Sequence, residues 1–289
     1  MKHLIILFCF TFVAFAADKT AVIKYRGCGI TKKAYMKELA AAFTKKYKVE
    51  VSIEGGGATK GIRSANDGEV DVGGSCRQCL FGSDAEKKVK LHPVAWDALA
   101  IIVNKNNPVK SITLQQLKDV MLGKVTNWKD LGGEDKTLHF FKRNGKISGV
   151  GRMARELIFM DVDIDFVATQ SFKSSGPLEK AILKDTYGIA VTGISSARKR
   201  DVKVLGLDGY ELSKENIMKG KYPLYRPLYL VTNKKPTKLA KKFIKFAKSK
   251  AGQKIISDQG TVNLREGKKL WPVYRKAMKA LEKKYKKKK

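Results

Sequence analysis

Acidic residues are scarce in this chain: 27 Asp and Glu stand against 59 Lys and Arg, a formal net charge of +32. Such a field favours anionic ligands in a salt-dependent way. Histidine is scarcer, with three in 289 residues; His3 lies at the start, and His92 and His139 are not spaced as a pair. G-x-S-x-G, H-E-x-x-H, the P-loop and the dinucleotide fingerprint are all missing. The chain therefore reads as a non-enzyme that needs no cofactor and no resident metal. It has no internal repeat and no Pro-rich linker, and beyond the first residues no stretch is apolar enough over about 20 residues to span a bilayer.

At the start, Met1-Lys2-His3 precedes an apolar run from Leu4 to Ala14, and Ala14-Phe15-Ala16 has the small-x-small pattern of a cleavage site. Residues 1–16 are read as a signal peptide, which implies a soluble, exported (periplasmic) mature chain. Export, together with lysines scattered rather than gathered in one motif, argues against nucleic acid as the partner. Of the four cysteines, Cys9 lies in the leader, leaving Cys28, Cys76 and Cys79. An odd count in an exported protein predicts one structural disulfide with a spare thiol, or a thiol site. Cys76-Arg77-Gln78-Cys79 is a C-x-x-C followed by Leu80, which disfavours haem attachment.

Strand and helix signals alternate along the chain. Residues 21–25, 49–53 and 70–72 read as strands, with helices over 33–46 and from near Lys60 between them. This β-α-β-α-β order predicts an α/β fold with a mainly parallel sheet. Leu99–Val103 reads as a buried strand, and Thr113 as the N-cap of a helix over 114–122. Further strands are expected at 138–141, 189–191 and 228–231, and helices at 152–159, 176–184, 238–248, 253–259 and 272–284.

Three loops share one logic, each following a strand, carrying Gly or a small hydroxyl residue and opening a helix: Gly27–Thr31, Gly55–Gly61 and Ser148–Gly151. Free N–H groups at a helix start, backed by the helix dipole, suit an anion, and glycine allows close approach. Arg143 and Arg77 are the candidate guanidinium forks for a tetrahedral oxyanion.

Ser111–Leu117 followed by Gly123-Lys124-Val125-Thr126-Asn127-Trp128-Lys129-Asp130-Leu131-Gly132-Gly133 resembles the signature of the PstS-type phosphate-binding proteins of ABC importers. Ile53–Ile62, Val70–Ser75, Tyr222–Tyr229 and the pattern Phe243–Phe246 with Ser249, Gly252 and Gln253 are similar to other segments of that family, so the likeness spans nearly the whole mature chain. The resemblance implies a two-lobed type II periplasmic-binding-protein fold, with 17–98 and 193–289 as one lobe, 99–192 as the other, and hinges near 97–104 and 189–192. It implies a monomeric receptor that captures a small oxyanion, phosphate first, and hands it to an ABC permease. The family's ligand contacts map onto Cys28, Gly29, Gly57, Ala58, Thr59, Ser75, Cys76, Arg77, Arg143, Ser148, Gly149 and Val150. The chain departs from the family pattern by carrying Cys28, Cys76 and Val150 where hydroxyl residues are usual, an extra residue between Arg143 and Ser148, and Arg77 where a carboxylate accepts the phosphate proton. Two alternatives rest on sulfur: a sensor or scavenger of arsenite or a thiophilic metal through Cys28, Cys76 and Cys79, and a thiol–disulfide oxidoreductase using Cys76 and Cys79.

Overall fold

The computed structural model describes residues 21–287; the expected signal peptide and Cys9 lie outside the described residues. In chain order the strands are β1 (Val22–Gly27), β2 (Glu50–Gly55), β3 (Val72–Ser75), β4 (Val89–Asn104), β5 (Ser111–Ile112) and β6 (His139–Arg143). They continue with β7 (Gln170–Phe172), β8 (Gly188–Gly193), β9 (Val202–Val204), β10 (Gly206–Leu207), β11 (Tyr225–Asn233) and β12 (Val262–Asn263). The helices are α1 (Gly29–Thr31), α2 (Lys37–Tyr47), α3 (Gly57–Asp67), α4 (Leu114–Met121), α5 (Gly149–Ala154) and α6 (Ser175–Lys184). After them come α7 (Ile194–Ala197), α8 (Lys214–Met218), α9 (Lys238–Lys248), α10 (Lys250–Asp258) and α11 (Leu270–Lys287). A π-helical turn over Lys32–Met36 joins α1 to α2, and another over Arg155–Phe159 continues α5.

Ten strands form one sheet in the order β2-β1-β3-β11-β4-β8-β6-β7, with β9 and β12 also pairing with β4. The flanks are parallel, as the β-α-β alternation predicts: β1 with β2 and β3, and β6 with β7 and β8. The centre is antiparallel, because β11 returns between β3 and β4, and β8 runs against β4. The 16-residue β4 belongs to both halves, its Val89–Ala98 part lying against β11 and its Leu99–Val103 part against β8.

Leu99–Val103 is wholly buried, as its unbroken apolar run requires, and side chains of this kind each stabilise by ~1.5–3 kcal/mol on leaving water. Where the strand passes between the halves, buried polar groups are tied to one another. Arg226 Nη2 donates to Asp97 Oδ2 at 3.1 Å, and the Ser195 N–H and hydroxyl donate to Asp97 Oδ1 at 3.0 and 2.6 Å. Asp97 and Arg226 are both fully buried, so each charge depends on the other. The expected Thr113 cap is present as a full capping box with Gln116. Among the described residues no helix is long and apolar enough to cross a membrane.

Candidate functional site

A cavity of about 410 Å3 opens where the strand-end loops of the two halves meet. From the first half it is lined by Cys28, Gly29 and Ile30 after β1 and by Gly55–Ala58 after β2, together with Lys33 and Cys76. From the second half come Arg143, Gly149 and Val150 after β6 and Lys173–Gly176 after β7, with Ser196 and Arg200. Four helical segments thus begin at its wall: those opening at Gly29, Gly57, Gly149 and Ser175. Their first-turn N–H groups have no partner within the helix and carry the positive end of its dipole. Gly57 has φ +83°, in the left-handed region that a side chain would strain, which is why this turn is built from glycine.

All the charged side chains that line the cavity are cations, namely Lys33, Arg143, Lys173 and Arg200. Arg143 sits at the end of β6 and spends its fork on the neighbouring loop. Nε donates to Phe172 O (3.2 Å), Nη1 to Ser175 Oγ (2.9 Å) and Nη2 to Lys173 O (2.7 Å). One side chain therefore supplies charge and also fixes the start of α6. Burial lowers its pKa from the usual arginine value, an effect that the nearby Cys76 and Cys28 oppose. Behind the wall, the fully buried Glu179 accepts from Lys33 Nζ (3.2 Å), Arg200 Nε (3.2 Å) and Thr192 Oγ1 (2.8 Å), and Lys33 also donates to Ser196 Oγ at 2.7 Å. This keeps two of the cations in place across the two halves.

Eight of the twelve residues expected to touch a ligand line the cavity: Cys28, Gly29, Gly57, Ala58, Cys76, Arg143, Gly149 and Val150. Four do not. Ser75 is buried and donates to Arg77 O at 2.7 Å. Arg77 is buried with its fork on Glu86, Nη1 to Oε2 at 2.8 Å and Nη2 to Oε1 at 2.7 Å. Thr59 Oγ1 accepts from Arg77 Nη2 (3.1 Å), and both Thr59 Oγ1 (2.9 Å) and Arg77 Nε (3.0 Å) donate to Ile147 O. Thr59 and Arg77 therefore fasten one half to the loop of the other. Ser148 stands at the N-cap position of α5, but its buried Oγ has no partner among the described residues. The sequence reading missed Lys33, the Lys173–Gly176 loop, Ser196 and Arg200. The loop carried the same strand-small residue-helix signal as the other three, but the three-residue β7 ahead of it is too short to read.

The sulfur expectations need correction. Cys28, Cys76 and Cys79 are all free, so the predicted disulfide is not formed. Nor do the three share one cleft. Cys28 and Cys76 line the cavity, whereas Cys79 packs beside a separate cluster of Ile62, Ala65, Val70, Tyr229 and Val231. Burial and the charge of Glu86 push the Cys79 thiol up to about 11, which leaves it a poor nucleophile. The C-x-x-C pair is thus split between two environments, and among the described residues no group of three or more potential ligands could hold a metal ion.

Residues 28–251 match the family model described as a PBP superfamily domain. The phosphate-binding protein PstS of Bacillus subtilis is 30% identical over 238 residues, covering 78% of this chain and 77% of that protein. A substrate-binding protein from Clostridium perfringens, solved with bound phosphate, superposes with a TM-score of 0.76 at 30% identity, over 84% of this chain and 99% of that one. An ABC-type phosphate transport receptor from Vibrio cholerae gives a TM-score of 0.66 at 26% identity, over 83% and 99%. The family match, the identity over most of the chain and the shared architecture place the chain among the PstS-type proteins of the periplasmic-binding-protein superfamily, with their type II fold.

Proposed function

We propose that this protein is the extracytoplasmic receptor that captures inorganic phosphate and delivers it to an ABC permease. The observation that carries the reading is the meeting of four helix starts and four cations at one cavity with no carboxylate in its lining among the described residues. Backbone N–H groups of the loops at Gly29, Gly57–Ala58, Gly149–Val150 and Ser175–Gly176 would hold the ligand's oxygens, with Arg143 supplying a guanidinium from the same wall. Thr59, Arg77 and Ser75 would position these loops rather than touch the ion. The binding step needs no catalytic group, only a dehydrated anion matched by fixed donors.

The two halves of the sheet would act as lobes. One holds β1–β3, β11 and the first part of β4; the other holds the remainder of β4 with β6–β9. On this assignment the segment 202–204 joins the second lobe through its pairing with Ile102–Asn104, and the crossings fall near Ala98–Leu99 and Leu224–Tyr225. The lobes would part to admit the ion and close on it, and the contacts of Thr59, Arg77 and Lys33 across the cleft would favour the closed form. The test is isothermal titration of the reduced protein with phosphate, sulfate and arsenate. Saturable one-to-one binding of phosphate that withstands moderate salt supports the proposal, and silence with every oxyanion refutes it.

A further inference from the structure

Cys28 and Cys76 lie on the ends of neighbouring strands, where Gly27 is level with Gly74 and Cys28 N donates to Gly74 O at 3.1 Å. Both residues line the same cavity, and the two thiols interact electrostatically. Cys28 Sγ also caps the helical run from Gly29, accepting from Thr31 N at 3.4 Å. Beneath them Arg226 is fully buried. One of its nitrogens is bound to Asp97, while Nε and Nη1 have no hydrogen-bond partner among the described residues. The groups facing the pair are Tyr25, Tyr35, Asp97, Arg143 and Arg226. Burial pushes both phenols up, so they stay neutral, which leaves two guanidinium ions and one carboxylate around the sulfurs. One negative charge on the sulfur pair balances that surplus.

We propose that Cys28 and Cys76 are an oxidisable thiol–thiolate pair, a site for hydroperoxides within the ligand cleft that a bound oxyanion shields. Burial alone would raise the Cys28 thiol, but the interaction with Cys76, the contacts with Thr31 and the field of Arg226 outweigh it and lower it. The interaction with Cys28 and burial push Cys76 up, so the first proton to leave belongs to the pair and is drawn mainly from the Cys28 side. The Cys28 thiolate attacks the terminal oxygen of a hydroperoxide; the O–O bond breaks, the departing oxygen takes a proton from solvent and leaves as an alcohol or water, and Cys28 becomes a sulfenic acid. The Cys76 sulfur then attacks the Cys28 sulfur, the S–S bond forms, and hydroxide leaves with the Cys76 proton as water. Two thiols are oxidised by two electrons and one peroxide is reduced. An anion in the cavity disfavours the thiolate by like charge and blocks the approach.

The thiol chemistry stands independently of what the cleft binds; the shielding rests on the phosphate reading. The reduced protein is treated with hydrogen peroxide at pH 7, with and without saturating phosphate, and followed by intact mass and peptide mapping, while phosphate binding is titrated on the same preparation. The expected result is a Cys28–Cys76 disulfide, with Cys28 reacting at least ~10-fold faster than Cys79, and slowing by phosphate in proportion to occupancy. Cys79→Ser keeps this behaviour. Phosphate binding without disulfide formation, or disulfide formation at the same rate with phosphate bound, overturns the inference. A disulfide that forms in a protein that binds no phosphate supports the thiol site and overturns the receptor reading.

Discussion

Gly149 offers a sharp test of how the cleft closes. It opens α5 on one side of the cavity and faces Cys76 and Ala58 on the other. A β-carbon placed on it would lie 2.5 Å from Cys76 Sγ and 2.9 Å from Ala58 Cβ, both shorter than atoms tolerate. Gly149→Ala therefore drives a one-carbon wedge between the halves. Overpacking of this size costs ~1–3 kcal/mol, which is a phosphate Kd raised about 5- to 140-fold. If the halves can separate, the wedge acts only on the closed form. The unliganded protein should then melt no lower than the wild type, or slightly higher, because alanine favours the helix over glycine by ~0.5–1 kcal/mol. The assay is titration calorimetry with phosphate beside thermal melts with and without ligand. Trimming the opposing side chain by Cys76→Ala in the Gly149→Ala background should recover part of the affinity, the remainder lying with Ala58. Wild-type affinity in Gly149→Ala, or a lowered melting temperature without ligand, would refute the wedge argument.

Arg143→Lys keeps the charge but cannot hold Phe172 O, Lys173 O and Ser175 Oγ together, so phosphate binding should weaken by ~10- to 100-fold by calorimetry, as expected for lost bonds to a charged group. Glu86→Gln leaves the buried Arg77 without its counter-ion and should lower unfolding stability by ~3–5 kcal/mol in urea titrations. Although burial raises Glu86, the bonds from Arg77 and Leu80 hold it below the usual carboxylate range. Its contribution is thus complete above the unfolded carboxylate range and lost as pH falls through the lowered folded value. His92 is lowered from 6.5 to about 4 by burial and by Lys248 and Lys90, so the melting temperature should fall as pH drops from about 6.5 towards 4, and His92→Gln should flatten that slope.

How much of this was readable in the residues varies with the physics involved. Helices with strong local signals came through: Thr113 with Gln116 made its capping box, and Lys238–Lys248 has the bounds its periodicity predicts. The glycine-rich turns were legible because left-handed and close-packed backbone leaves a mark in sequence. The antiparallel centre was not, since strand direction depends on which distant segment returns beside β3, and only Leu99–Val103 of the long β4 has an unbroken apolar run. Arg77 shows the limit for the site. Its position after β3 suggested a ligand contact, but Glu86, nine residues on, takes the guanidinium instead. Lys33 and Arg200 could not be told from the other basic residues, because what marks them is Glu179, which is remote from Lys33 in sequence. Trp128, the centre of the signature that revealed the family, lies outside the cavity, where its indole donates to Tyr187 O at 2.8 Å. The most recognisable residue thus supports the scaffold rather than the ligand.

The uninterrupted passage of β4 through both halves has a mechanical consequence. An articulated joint would let each body swing freely, but a continuous ribbon transmits torque, so on the proposed lobe motion a gaping of the mouth would be taken up as twist around Ala98 and Leu99 together with the second crossing near Leu224 and be returned when the grip is restored. The Asp97–Arg226 pair sits beside that crossing, so a rotation there would have to keep a buried ion pair intact.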